Sequence, residues 1–183
     1  AFSRLIAHAT DEHGCLVAAA GAEDLVTRQG FRFVFRTHQA FDEAAQRAAH
    51  LNDQFGVPYR AENTAQLAQA EPAVRVPLVG AVHWLAPWAV NDPGGLVQRY
   101  ANLFVARGGR VVTGDANSLQ AQSAGWSVQT AEGRLQAEQA VLALGPWADG
   151  AIRTLGYRFP LFIKRGYHQH YLAPVQVRQP LLD

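Results

Sequence analysis

The stretch Ala140–Tyr171, AVLALGPWADGAIRTLGYRFPLFIKRGYHQHY, constrains the fold of this chain more than any other. Ala140–Leu144 carries no polar residue, so as a strand it must be covered on both faces, as in an α/β layer. Gly145-Pro146-Trp147 then turns the chain, a short helix follows, and Arg165-Gly166-Tyr167 leads into a second strand. An apolar strand feeding a glycine-opened helix brings backbone N–H groups close to a cofactor or an anion. From the residues alone a purely structural turn is the commoner reading.

With 183 residues the chain is long enough to bury a proper core, as one large or two small domains. Apolar residues make up 49% and charged residues 17%, which excludes a disordered chain. A net charge of +1 gives no reason to expect nucleic acid as a partner. The single cysteine, Cys15, rules out an intramolecular disulfide and suits a reducing compartment. In its helix-like surroundings it is expected to be a small core residue. No apolar run is long enough to span a bilayer.

Phe2, Leu5, Ile6 and Ala9 lie on one helical face, and the chain is expected to open on a helix. Phe31–Arg36 alternates aromatic with polar residues, Val34 excepted, and reads as a half-buried strand. Thr37 caps the next helix, whose stripe Phe41, Ala44, Ala48, Leu51 and Phe55 runs to Gly56. Val57–Arg60 is a short extended link. Asn63 and Gln66 form a capping box for a brief helix ended by Glu71-Pro72. Leu78–Val90 is β-like and broken at Pro87. Asp92-Pro93 starts a helix with buried face Leu96, Tyr100, Leu103 and Phe104, ended by Gly108-Gly109. Strands are expected at Arg110–Thr113, Asn117–Gln122, Gly125–Thr130 and Arg134–Ala137, with Arg110–Thr113 beside Ala140–Leu144.

LALGPWADGAIRTLGY followed by RGYHQHY resembles the D-amino-acid oxidase/dehydrogenase (DAO) family of FAD-dependent oxidoreductases. Gln29–Val74, with its GVPY link and its EP helix end, is similar to the small subunit of bacterial D-amino-acid dehydrogenases, and so is VNDPGGLVQRYANLFVARGGRVVTGDANSL. The resemblance implies a mixed α/β fold: a substrate-binding lobe plus part of a Rossmann-like FAD domain. The implied division is a leading helical segment at 1–27, the substrate lobe at 28–90 and 158–183, and a partial FAD-domain layer at 91–157. The G-x-G-x-x-G unit that cradles the FAD pyrophosphate in such proteins occurs nowhere in the sequence. The chain is therefore expected to be the central part of a longer enzyme, completed by N- and C-terminal parts of the same polypeptide.

On that resemblance Ala143, Leu144, Gly145 and Trp147 contact FAD, the first two through backbone only, and Ala116 approaches the adenine. His83, Tyr167 and His168 are candidates for the substrate cavity. The catalytic and carboxylate-binding residues are expected outside this chain. His168 and His170 share a face of the expected strand, but without further ligands no metal site is expected. G-x-S-x-G, Walker A, H-E-x-x-H and C-x-x-C motifs are all absent, which weakens hydrolase, nucleotidase, metalloprotease and thiol-redox readings. The implied reaction is oxidation of the C–N bond of a D-amino acid or related amine, with electrons passing to oxygen or to a quinone. The expected location is the cytoplasm, or the cytoplasmic face of the inner membrane with the full enzyme peripherally attached. Two rivals remain: a stand-alone small-molecule or anion-binding domain, and a structural subunit that completes another chain.

Overall fold

The computed structural model describes residues 6, 8–160, 162–167, 169, 171–175 and 177–183. It is a mixed α/β structure whose chain falls into two compact units, Ala1–Arg107 with Leu172–Asp183, and Gly108–Tyr171.

The first unit is built on a four-stranded sheet in the order β3-β4-β2-β9. Its strands are β2 (Phe31–Phe35), β3 (Tyr59–Asn63), β4 (Gly80–Trp84) and β9 (Leu181–Leu182). β4 pairs antiparallel with both β2 and β3, placing Arg32 and Arg60 opposite His83, whereas β9 joins β2 in parallel. One face of this sheet carries the buried cluster Val34, Leu67, Leu78 and Ala81. On the other, Phe41 of helix α2 (His38–Phe55) packs against Phe35 and over Gly80.

The caps of these helices follow the sequence. The Thr37 side chain accepts from Ala40 N, and Gly56 ends α2 in the left-handed conformation. Asn63 and Gln66 form both halves of a capping box on α3 (Thr64–Ala70). Asp92 caps α4 (Pro93–Ala106), with Pro93 in its first turn. A second cluster, Val17, Ala22 and Leu96, joins α4 to α1 (Ala9–Ala19), beside the short pair β1 (Val26–Thr27) and β5 (Ala89–Val90).

Several expectations change here. The face of β2 that is buried is that of Arg32 and Val34, while Phe33 stays exposed. Val57–Arg60 does not remain a link throughout, since β3 begins at Tyr59. Cys15 is exposed and not a core residue. Val17 faces the core, and two residues along a helix rotate a side chain by about 200°, which turns Cys15 away. Phe104 is exposed because it lies about 80° around α4 from Leu96, whereas Tyr100 and Leu103 stay close to that line. Phe55 is exposed at the end of α2. Phe2 and Leu5 lie outside the described residues, and Ile6 and Ala9, the other members of the expected stripe, are exposed.

The second unit is an antiparallel meander, β6 (Gly114–Gln122), β7 (Gly125–Thr130) and β8 (Gly133–Ala137). It is followed by a 3-10 turn at Gly145–Trp147 and helix α5 (Ala148–Thr154). Asp115 stands opposite Gln129 and Gln120 opposite Ser127, so residues 116–119 face Val128 alone. This wide bulge closes on itself: Ser118 Oγ donates to Asp115 O at 2.5 Å and accepts from Gln129 N at 2.9 Å.

Arg110–Thr113 and Ala140–Leu144 are not the neighbouring strands expected. Residues 110–113 form no ladder, and pairing begins at Gly114 opposite Thr130. Residues 140–144 form no strand, and Val141 is 90% exposed. An all-apolar strand needs cover on both faces, which the described residues do not supply. The second strand expected after Arg165-Gly166-Tyr167 is also not seen. Residues 162–167 and 169 carry no regular structure, and His168 and His170 lie outside the described residues.

Gly30 is the tightest turn in the first unit. Its φ is +72°, and a Cβ there would sit 1.8 Å from the Trp84 carbonyl oxygen. Replacing Gly30 by Ala should cost on the order of 3–5 kcal/mol from left-handed strain and backbone overlap together. Urea unfolding followed by far-UV circular dichroism measures it, and a loss below about 1 kcal/mol would show that the turn can move aside.

Candidate functional site

In the first unit four ionisable side chains meet where β2, β3 and β4 lie side by side. Arg32 points into the covered face, and its Nε donates to Glu62 Oε2 at 2.7 Å while Nη2 donates to Glu62 Oε1 at 3.2 Å. Its Nη1 donates to Glu71 Oε1 at 3.1 Å and also to Gln179 Oε1. The planar guanidinium supplies donors in a fixed fork, which suits it to two carboxylates approaching from different sides. Glu71, at the end of α3, is fully buried, and its second oxygen accepts from Arg178 N at 2.8 Å.

His83 completes the group. Its Nε2 lies 2.7 Å from the Gln29 carbonyl oxygen, which makes Nε2 the donor. Nδ1 stands 3.5 Å from Glu62 Oε1 and has no hydrogen-bond partner. His83 is therefore held inside the charged group, away from any open surface. Its strand neighbour Trp84 points to the other face, where it borders a hollow of about 260 Å³ with Phe33, Phe35, Ala44, Arg47 and Val82.

The second unit holds a larger hollow of about 430 Å³ between the meander and the irregular run that follows it. Ala116 in the bulge and Leu144 before the turn both line it, together with Leu119, Trp126, Val128 and Leu142. The walls are largely apolar and suit a flat ring more than a charged group. Gly145 lines a separate hollow with Pro146, Asp149 and Phe162, and has φ +55° with no atom within 4 Å of where a Cβ would stand. The space beside its backbone is thus open to a ligand. Trp147 is 77% exposed and Tyr167 92% exposed, so neither packs in a core of the unit. Among the described residues no group of three or more His, Cys, Asp or Glu could hold a metal ion, and no helix is long and apolar enough to cross a membrane.

The sequence drew Ala116, Leu144 and Gly145 into the expected site, and the fold brings Ala116 and Leu144 to one cavity. It did not single out Arg32, Glu62 or Glu71. The exception at Val34 was the available signal: Arg32 and Val34 share a parity along β2, so if Val34 faces the core, so does Arg32.

These features belong to a known fold. The family model for FAD-dependent oxidoreductases (DAO) matches residues 1–182, and the chain belongs to that family. The chain is 30% identical over 190 residues to a D-amino acid dehydrogenase of Methylobacterium radiotolerans, covering 90% of this chain and 45% of that protein. It is 27% identical over 157 residues to a D-amino-acid oxidase of Bradyrhizobium diazoefficiens, covering 85% of this chain and 37% of that protein. Among solved structures, glycine oxidase from Geobacillus kaustophilus superposes with a TM-score of 0.67 at 21% identity, over 84% of this chain and 41% of that one. L-amino acid deaminase from Proteus vulgaris gives 0.65 at 20% identity, over 78% and 34%. The chain thus spans less than half the length of these relatives, and the two structures share its fold.

Replacing Arg32 by Met should destabilise the chain by about 3–5 kcal/mol, because two buried carboxylates lose the arginine that pairs with both. Arg153→Met, which removes the exposed pair with Asp149, should change stability by less than about 1 kcal/mol. Chemical unfolding of both variants checks the contrast, and equal losses would mean that the buried group carries no special weight.

Proposed function

We propose that this chain is part of an FAD-dependent enzyme that oxidises the C–N bond of a D-amino acid or a related amine. The product imine hydrolyses to an oxo acid and ammonia. The observation that carries the reading is that Ala116 and Leu144, far apart in sequence, line one largely apolar cavity in a chain of the FAD-dependent oxidoreductase family. The preference for a D-amino acid rests on relatives that are a D-amino acid dehydrogenase and a D-amino-acid oxidase.

The residues present fit part of the cofactor. The apolar walls around Ala116 and Leu144 suit an aromatic ring, and the open backbone at Gly145 admits a ligand without displacing protein atoms. Ala143, Leu144 and Gly145 would contribute backbone contacts, with Trp147 beside them. Bound FAD supplies the chemistry by accepting the hydride from the substrate, and the protein orients the amino acid and excludes competing reactions. Tyr167 and His168 remain the candidates for the substrate side in this unit, whereas His83 is buried within its charged group. The pyrophosphate would need convergent N–H donors of the G-x-G-x-x-G kind, and the sequence carries no such motif.

Three outcomes follow. The isolated 183-residue chain should purify colourless and bind little or no FAD, since losing several charge-assisted hydrogen bonds of about 1.5–3 kcal/mol each removes many orders of magnitude in affinity. A yellow chain with stoichiometric FAD would overturn that expectation. The enclosing full-length protein should reduce an artificial electron acceptor with D-amino acids and not with their L-enantiomers, and turnover of L-amino acids alone would overturn the substrate assignment. In that protein Gly145→Val should lower the flavin-to-protein absorbance ratio more than His170→Ala, because a branched side chain fills the space beside the turn. Equal ratios would reduce Gly145 to a structural turn.

A further inference from the structure

Only one of the two ring nitrogens of His83 is satisfied. Nε2 faces the Gln29 carbonyl oxygen at 2.7 Å, and a carbonyl can only accept, so Nε2 carries a proton. A neutral ring in that tautomer has a bare lone pair at Nδ1. Nδ1 is closed off from solvent by neighbouring protein atoms and finds no hydrogen-bond partner among the described residues. What it faces is Glu62 Oε1 at 3.5 Å, just beyond hydrogen-bond reach. A lone pair aimed at a carboxylate oxygen is repelled, and burial of both groups, His83 at 5% and Glu62 at 3% exposure, leaves little water to weaken the effect.

The charges brought in by the surrounding elements act in the same direction. β2 supplies Arg32, β3 supplies Glu62 and the end of α3 supplies Glu71, all of them buried. Two carboxylates share one guanidinium, so with a neutral ring this interior keeps one negative charge uncompensated. The segment before β2 offers His83 only a carbonyl, while Arg178 and Gln179 offer the group a backbone N–H and a side-chain amide, neither of them charged. Arg60 stands opposite His83 on β3 and opposes a further positive charge, but it is exposed and water screens it.

We propose that the buried group is a proton-binding site, in which His83 takes a second ring proton from water and Nδ1–H donates to Glu62 Oε1. A slight tilt of the ring closes the remaining distance, and the inner charges then sum to zero. Glu62 accepts from Arg32 at both oxygens and from His83 at one of them, which its lone pairs allow. The group that holds β2, β3 and β4 in register is thereby linked to pH. Above about pH 6.5 an unfolded histidine has released its second proton, whereas the folded chain keeps one here. The folded state then binds more protons than the unfolded state, so the hold on the register weakens as the pH rises. The proton site lies wholly within the first unit and is independent of the proposed reaction.

Nitrogen-15 NMR of the full-length protein, labelled at histidine, tests it, and His83→Gln identifies the His83 signals by their loss. At about pH 7.5, where a solvated imidazole is mostly neutral, both His83 ring nitrogens should give the signals of protonated nitrogen. Glu62→Gln should return the ring to its neutral form at the same pH, because the charge that the proton balances is gone. A neutral His83 ring in the parent protein would overturn the proposal. So would a ring that stays doubly protonated in Glu62→Gln, since Glu62 would then not be what holds the proton. Should either variant fail to fold, neutron diffraction from deuterated crystals of the parent at the same pH decides the matter. Deuterium on both Nδ1 and Nε2 of His83 is the expected result, and a bare Nδ1 overturns the proposal.

Discussion

One guanidinium organises the larger unit. Arg32 stands on a strand whose neighbours on both sides are aromatic, and it is turned inward so that two carboxylates from separate elements can reach it. A charge so placed is tolerated only when its hydrogen bonds are nearly complete, which fixes the relative positions of the strands that supply them. Glu62 arrives on β3, Glu71 at the end of α3, and Gln179 on the segment leading into β9. A register slip of β3 by one residue would send Glu62 to the opposite face and leave Arg32 half-satisfied. The group therefore specifies register more than it adds stability.

The same interaction explains the inversion of β2. Three phenylalanines at alternate positions would ordinarily mark the core side of a strand, and the polar set between them the solvent side. Here Phe31, Phe33 and Phe35 lie on the side met by α2, which covers Phe35 and leaves Phe33 partly open. The covered side is smaller and filled by Val34, Ala81 and Leu67 around the charges. Apolar pattern alone ranks the two faces wrongly because it assigns no benefit to an arginine that finds both its partners.

Helix ends were legible because their chemistry is local. Thr37, the Asn63–Gln66 box and the Asp92-Pro93 start each need only a few neighbouring residues, and each stands where the spacing put it. The meander was legible for the same reason, with turns at Ser123-Ala124 and Ala131-Glu132 separating its strands. Ala140–Leu144 was not, since the state of an apolar run depends on what lies over it, and nothing in its own residues supplies that cover. Of the expected site, Ala116 and Leu144 came together through the bulge and the irregular run after the meander, long-range consequences of pairing. Arg32, Glu62 and Glu71 went unremarked because a buried charge looks, one residue at a time, like a solvated one.

The bulge in β6 has a consequence for how this fold can diversify. Its hydrogen bonds run from Asp115 to Ser118 and on to Gln129, bypassing the Ala116 side chain altogether. Ala116 nevertheless forms part of the wall of the apolar cavity. Enlarging that one side chain narrows the cavity while the bulge keeps every bond that shapes it. The position works as an adjusting screw, set by a single codon, for the size of whatever the cavity admits.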